Sequence, residues 1–139
     1  MSDGSKVPPP DPGRLRSALL DLHRELLNGQ VIELERATGR KMSPNEVLKA
    51  ALEDPRLAWL RELSALAARL DQETSTASAE GRPVEVAPIA QRAAELVAPP
   101  DPNDSFGSNY LRSLQRNPAV VMAHRDLRAL LEAGSSATD

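Results

Sequence analysis

The chain contains no cysteine. That absence excludes disulfides, thiol nucleophiles and cysteine-ligated zinc together. Aromatic residues are nearly as scarce, with Trp59, Phe106 and Tyr110 the only ones among 139 residues. Only two histidines occur, His23 and His124, which leaves few ways to build acid–base or metal chemistry. No apolar run approaches the ~20 residues that a helix needs to cross a bilayer. Residues 1–13 hold three consecutive prolines and no apolar stretch, so they do not read as a signal peptide. The expectation from these absences is a cytoplasmic protein that is no enzyme, binds no cofactor and holds no metal.

What is present is leucine, alanine and valine, within a hydrophobic fraction of 40%. Leu and Ala favour helix, whereas sheets lean on β-branched and aromatic residues. The length suits one domain with free ends. The reading is an all-α, compact bundle of five to six helices of mixed length. It divides into a disordered tail at 1–11, a helical domain at 12–133 with a mobile linker at 73–84, and a disordered tail at 134–139.

Prolines mark the helix starts. Asp11-Pro12, Ser43-Pro44, Asp54-Pro55 and Asn117-Pro118 each place a capping side chain before a proline at the first helical position, where a missing N–H costs nothing. Ser43 to Glu46 also spells a capping box. Leu15, Leu19, Leu22 and Leu26 recur at helical spacing after the first signal. Asn28-Gly29 interrupts that helix without resetting its pattern, and Gly39 closes it. The second helix is short, with Val47, Leu48, Ala51 and Leu52 as its apolar positions. Trp59, Leu63, Leu66 and Leu70 form the stripe of the third. Residues 73–83 are rich in Ser, Thr and Glu and end in Gly-Arg-Pro, which reads as linker. A fourth helix starts near Pro88 and stops before Pro99-Pro100-Asp101-Pro102. A fifth starts at Asp104 or Ser105 and carries Phe106 and Tyr110 inward. The sixth runs from Pro118 to about Gly134.

The net charge of −3 argues against nucleic acid as a partner, but it is unevenly spread. Seven acids crowd residues 71–104, while Arg112, Arg116, Arg125 and Arg128 dominate residues 105–131. These four are the residues a phosphate backbone would use. Arginine supplies fourteen of seventeen basic residues, which fits genome composition better than recognition.

Chemical motifs fail on their spacing. His23-Arg24-Glu25-Leu26 is echoed by His124-Arg125-Asp126-Leu127, and packed termini would bring both imidazoles together with Glu25 or Asp126 close by. Neither histidine has a carboxylate three residues before it, as paired helical metal sites require. His124-Arg125-Asp126-Leu127 also imitates a kinase catalytic loop, but Leu131 stands where its asparagine belongs. Trp59 reads first as a packing anchor and second as the floor of a groove.

The run Asp54-Pro55-Arg56-Leu57-Ala58-Trp59-Leu60-Arg61-Glu62-Leu63-Ser64 is followed by Tyr110-Leu111-Arg112-Ser113-Leu114-Gln115-Arg116-Asn117-Pro118. In these two stretches, and loosely over residues 15–131, the chain resembles a group of small bacterial all-helical proteins with no assigned activity. The resemblance implies a bacterial origin and a helical fold, and transfers no functional residue. The functional expectation is an interaction module that self-associates or binds a protein partner through an apolar helix face, away from membranes. The alternative is a bundle holding a small molecule or metal near Trp59 and the two histidines. Trp59, Phe106, Tyr110, His23 and His124 are the candidate surface for either.

Overall fold

Asp11 shows how this chain starts a helix. Its carboxylate accepts the Arg14 N–H at 3.0 Å and Pro12 takes the first position, so an amide that the first turn leaves unpaired finds an acceptor. Helix α1 then runs without a break from Pro12 to Thr38 and closes on Gly39, whose φ of 72° is the left-handed conformation glycine adopts without strain. This computed structural model describes residues 10–98, 101 and 103–136. The expected N-terminal tail therefore lies outside the described residues up to position 9.

Ser43 and Glu46 exchange side chain-to-backbone bonds at 3.2 and 2.9 Å, and α2 follows from Pro44 to Glu53. One residue, Asp54, both ends α2 and caps what comes next by accepting the Arg56 N–H at 2.8 Å. Pro55–Leu60 is a 3-10 segment, not the first turns of an α-helix. At three residues per turn, Leu57 and Leu60 line up on one edge with Trp59 beside them, and all three are buried. The chain passes directly from Leu60 into α3, Arg61–Glu80.

The linker expected at 73–84 is corrected here: residues 73–80 are the last turns of α3. Ser and Thr are poor helix formers, but tertiary contacts override propensity. Ala77 is fully buried, and Gly81 at φ 66° turns the chain so that Arg82 N–H reaches Ala77 O at 3.0 Å. Arg82 then grips Glu73 through two bonds, at 2.6 and 3.2 Å, and locks the end of the helix. The connection is reduced to residues 81–86.

Helix α4 is Ala87–Val97, with Pro88 in its first turn. Pro99, Pro100 and Pro102, expected to terminate it, lie outside the described residues. Asp104 caps α5, Ser105–Arg116, by accepting the Gly107 N–H at 3.0 Å. Asn117 ends α5 and accepts the Ala119 N–H at 3.0 Å to open α6, Pro118–Ser136. That helix runs two residues past the end expected at Gly134. Asp54 and Asn117 are both extended, as residues before proline prefer. Each makes a corner of a single residue.

The described residues thus form six α-helices and one 3-10 segment, with no strand. Helix α1 is central, with α6 along one side and α3 along another, and α4 and α5 complete the shell. Leu15, Leu19, Leu22 and Leu26 are its buried stripe. Gly29 lies where α1 meets the α5–α6 corner, and a Cβ there would stand 3.2 Å from Asn117 Nδ2. A glycine there leaves room for the Asn117 amide. Helix α2 stands apart: it packs mainly on the 3-10 segment and buries no residue. No helix among the described residues is long and apolar enough to cross a membrane.

Candidate functional site

The three aromatic rings lie in the core, as their helical spacing implies, and not on the partner or ligand surface also offered for them. Trp59, Phe106 and Tyr110 keep only 6%, 3% and 0% of their surface exposed. Trp59 meets Phe106 edge-on at 5.5 Å between centroids, and Phe106 stacks on Tyr110 at 5.4 Å. They pack on one another and not around a pocket, which removes them as a partner or ligand surface. The indole N–H of Trp59 is buried with no acceptor among the described residues, so the ring is held by packing alone.

His124 ends the series. Its Nδ1 lies 2.6 Å from the Tyr110 hydroxyl. Burial pushes the Tyr110 pKa well above the ordinary value, opposed only partly by the Arg128 charge. Burial, with Arg128 second, lowers the pKa of His124. The phenol and the ring nitrogen share one hydrogen bond, whose direction follows the imidazole tautomer. The pair ties α5 to α6.

His23 is elsewhere. It is half-buried, its pKa lowered by that burial, and it lines a cleft between α1, α2 and α3. The two imidazoles thus serve different neighbourhoods, and their shared tetrapeptide does not bring them to one site. Glu25 and Asp126 line one pocket between α1 and α6, together with Asp21 and Arg24. No group of three or more His, Asp or Glu side chains placed to hold a metal exists among the described residues.

The basic cluster is partly neutralised. Arg128 bonds Glu132 at 2.6 Å, and Arg116 lies 3.8 Å from Glu33. Arg112 and Arg125 are exposed. The four do not act as one uncompensated patch.

What the sequence did not reveal is the cleft beside α2. Its volume is about 720 Å³. One wall is the apolar face of α2, with Val47, Leu48, Ala51 and Leu52; the other is Leu27 of α1 with Leu60, Ser64, Ala65 and Ala68. Leu48 and Leu52 are 60% and 65% exposed, the largest exposures among the large apolar side chains described. They sit one turn apart, so their side chains form one patch. Single exposed leucines are ordinary, but a contiguous apolar groove is not. Arg61 fixes the cleft's geometry: its guanidinium donates to Ala51 O and Asp54 O at 3.4 Å each and holds the C-terminal carbonyls of α2 against α3. The pointer in the sequence is a ten-residue helix with a clean apolar face, which by itself does not say whether that face is covered.

No protein-family model matches the chain, and no curated protein or solved structure matches it either.

Proposed function

We propose that this chain is a non-enzymatic interaction module that meets a protein partner, another copy of itself included, through the apolar cleft between α1, α2 and α3. The observation that supports the reading most is α2 itself: an amphipathic helix that buries no residue and leaves Leu48 and Leu52 more than half exposed. Burying such side chains is worth about 1.5–3 kcal/mol each, so a cleft that leaves them in water gains strongly from an occupant. The resemblance at residues 54–64 and 110–118 belongs to the same proposal and adds a bacterial setting. The test compares the wild type with the double variant Leu48→Asp/Leu52→Asp. Sedimentation and capture from a lysate of the source should give a self-associated form or a retained protein with the wild type and neither with the variant. A wild type that is monomeric and retains nothing contradicts the proposal, as does a variant that behaves identically.

A small-molecule or metal site among the aromatic rings and histidines has no support in the geometry, because those rings close on themselves and the histidines lie apart.

A further inference from the structure

Resting on the cleft as the interaction site, we infer that His23 is its proton-sensitive gate. The cleft takes an apolar occupant while the imidazole is neutral and loses it once the ring is protonated. The placement of the ring carries the inference. On α1 the residues three and four positions to either side of it, Leu19, Leu20, Leu26 and Leu27, are all leucine. His23 is half-buried and lines the cleft of about 720 Å³. It has no hydrogen-bond or ion-pair partner among the described residues.

The surroundings offer an imidazolium nothing. On α2 the cleft is lined by Pro44, Val47, Leu48, Ala51 and Leu52, none of them titratable, while Glu46, Lys49 and Glu53 line a separate pocket. The 3-10 segment adds Leu60 alone. On α3 the one charged lining residue is Arg61, whose guanidinium donates to Ala51 O and Asp54 O. Arg24, beside His23 on α1, is exposed and pairs with Asp21 and Glu25. No carboxylate lines the cleft, and its single fixed charge has the same sign as a protonated histidine.

Burial already holds His23 below its ordinary pKa. An apolar occupant removes the water that the open cleft leaves around the ring, and desolvation penalises the charged form further. The bound state therefore has the lower pKa. Binding is strongest above the free-state value and weakens as pH falls from it towards the bound-state value, by at most about tenfold per pH unit for one proton. Only burial of the ring enters, so a second copy docked by an apolar face and a small apolar probe share the same sign.

The test uses the full chain and Nile red, a neutral dye that fluoresces in apolar surroundings, titrated at pH 7.5 and pH 5 with helix content followed by circular dichroism. The wild type should bind about fivefold more weakly at pH 5. Leu48→Asp/Leu52→Asp should weaken binding at pH 7.5, which locates the dye in the cleft. His23→Leu and His23→Gln, neither able to take up a proton, should bind equally at both pH values, whereas His124→Leu should keep the wild-type fall. A wild-type affinity that does not change with pH, or a fall that persists in both His23 variants, overturns the gate and leaves the cleft as an interaction site. No binding by the wild type at pH 7.5, or binding that the double leucine variant leaves unaltered, overturns the gate together with the cleft on which it rests.

Discussion

At the scale of the residue, two side-chain details fix more of this structure than their size suggests. Gly107 is buried at the start of α5, and a Cβ there would come within 3.0 Å of the Asp101 backbone. Backbone cannot rotate aside as a side chain can. Gly107→Ala should therefore cost about 3 kcal/mol in urea unfolding, whereas Gly81→Ala, in open space but at positive φ, should cost about 1 kcal/mol. Equal losses would show that the contact with Asp101 is not what constrains Gly107. Tyr110 and His124 are the second detail. Tyr110→Phe removes the hydroxyl partner of a partly buried imidazole nitrogen and should cost about 1–3 kcal/mol. The pH dependence has a definite sign. His124 has a lowered pKa in the folded chain, so the unfolded chain binds more protons just below pH 6.5. Stability is fully present above that pH and declines as pH falls through the window towards the folded value. His23 acts in the same direction. Thermal unfolding between pH 7.5 and 5 should show the fall, and it should shrink in His124→Leu. Of these residues the sequence announced Tyr110 as a core position, but not its link to His124, because a contact across a helix corner leaves no periodic trace.

At the scale of the element, the cap-plus-proline signals were legible and the polar helix end was not. All four signals open a helical segment, since each is a local event between residues at most three apart. What they did not distinguish was a 3-10 start from an α start at Pro55, which depends on how Leu57, Trp59 and Leu60 meet the core. The tail of α3 was misread because its stability comes from Ala77 packing, a left-handed Gly81 and the Arg82 clamp on Glu73, and none of these shows in a window of Ser and Thr. The clamp has an acid signature. Arg82, with the Glu85 N–H, holds the Glu73 carboxyl at about pH 2. A depressed carboxylate contributes stability above its unfolded pKa and loses it as pH falls towards 2. Amide exchange at residues 73–80 should accelerate on acidification from pH 5 to 2.5 relative to α1, after correction for intrinsic rates. Glu73→Gln should show fast exchange there already at pH 5. Slow exchange in that variant would mean the clamp does not hold the helix end.

At the scale of the whole molecule, single-residue corners at Asp54 and Asn117 set neighbouring segments at angles, and one helix is left standing off the body. An all-α bundle was readable from composition and spacing, because leucine stripes at 3.6-residue period have few other solutions. The cleft was not readable, because the apolar face of α2 looks identical on paper whether it is covered or bare. Trp59, Phe106 and Tyr110 carry both a core and a surface reading in the sequence, and only the core reading agrees with their burial. Leu48 and Leu52 contribute little to folding in this account, so Leu48→Asp/Leu52→Asp should change unfolding free energy by no more than about 0.5 kcal/mol. A large loss would mean that α2 belongs to the core. The most direct measurement is amide hydrogen exchange of the full chain, free and in the self-associated or partner-bound form that sedimentation and capture isolate. Added protection is expected at residues 44–53 and 60–68, with the Arg112 to Arg128 face unchanged. Protection confined to that basic face, or none along α2, would contradict the cleft as the interaction site.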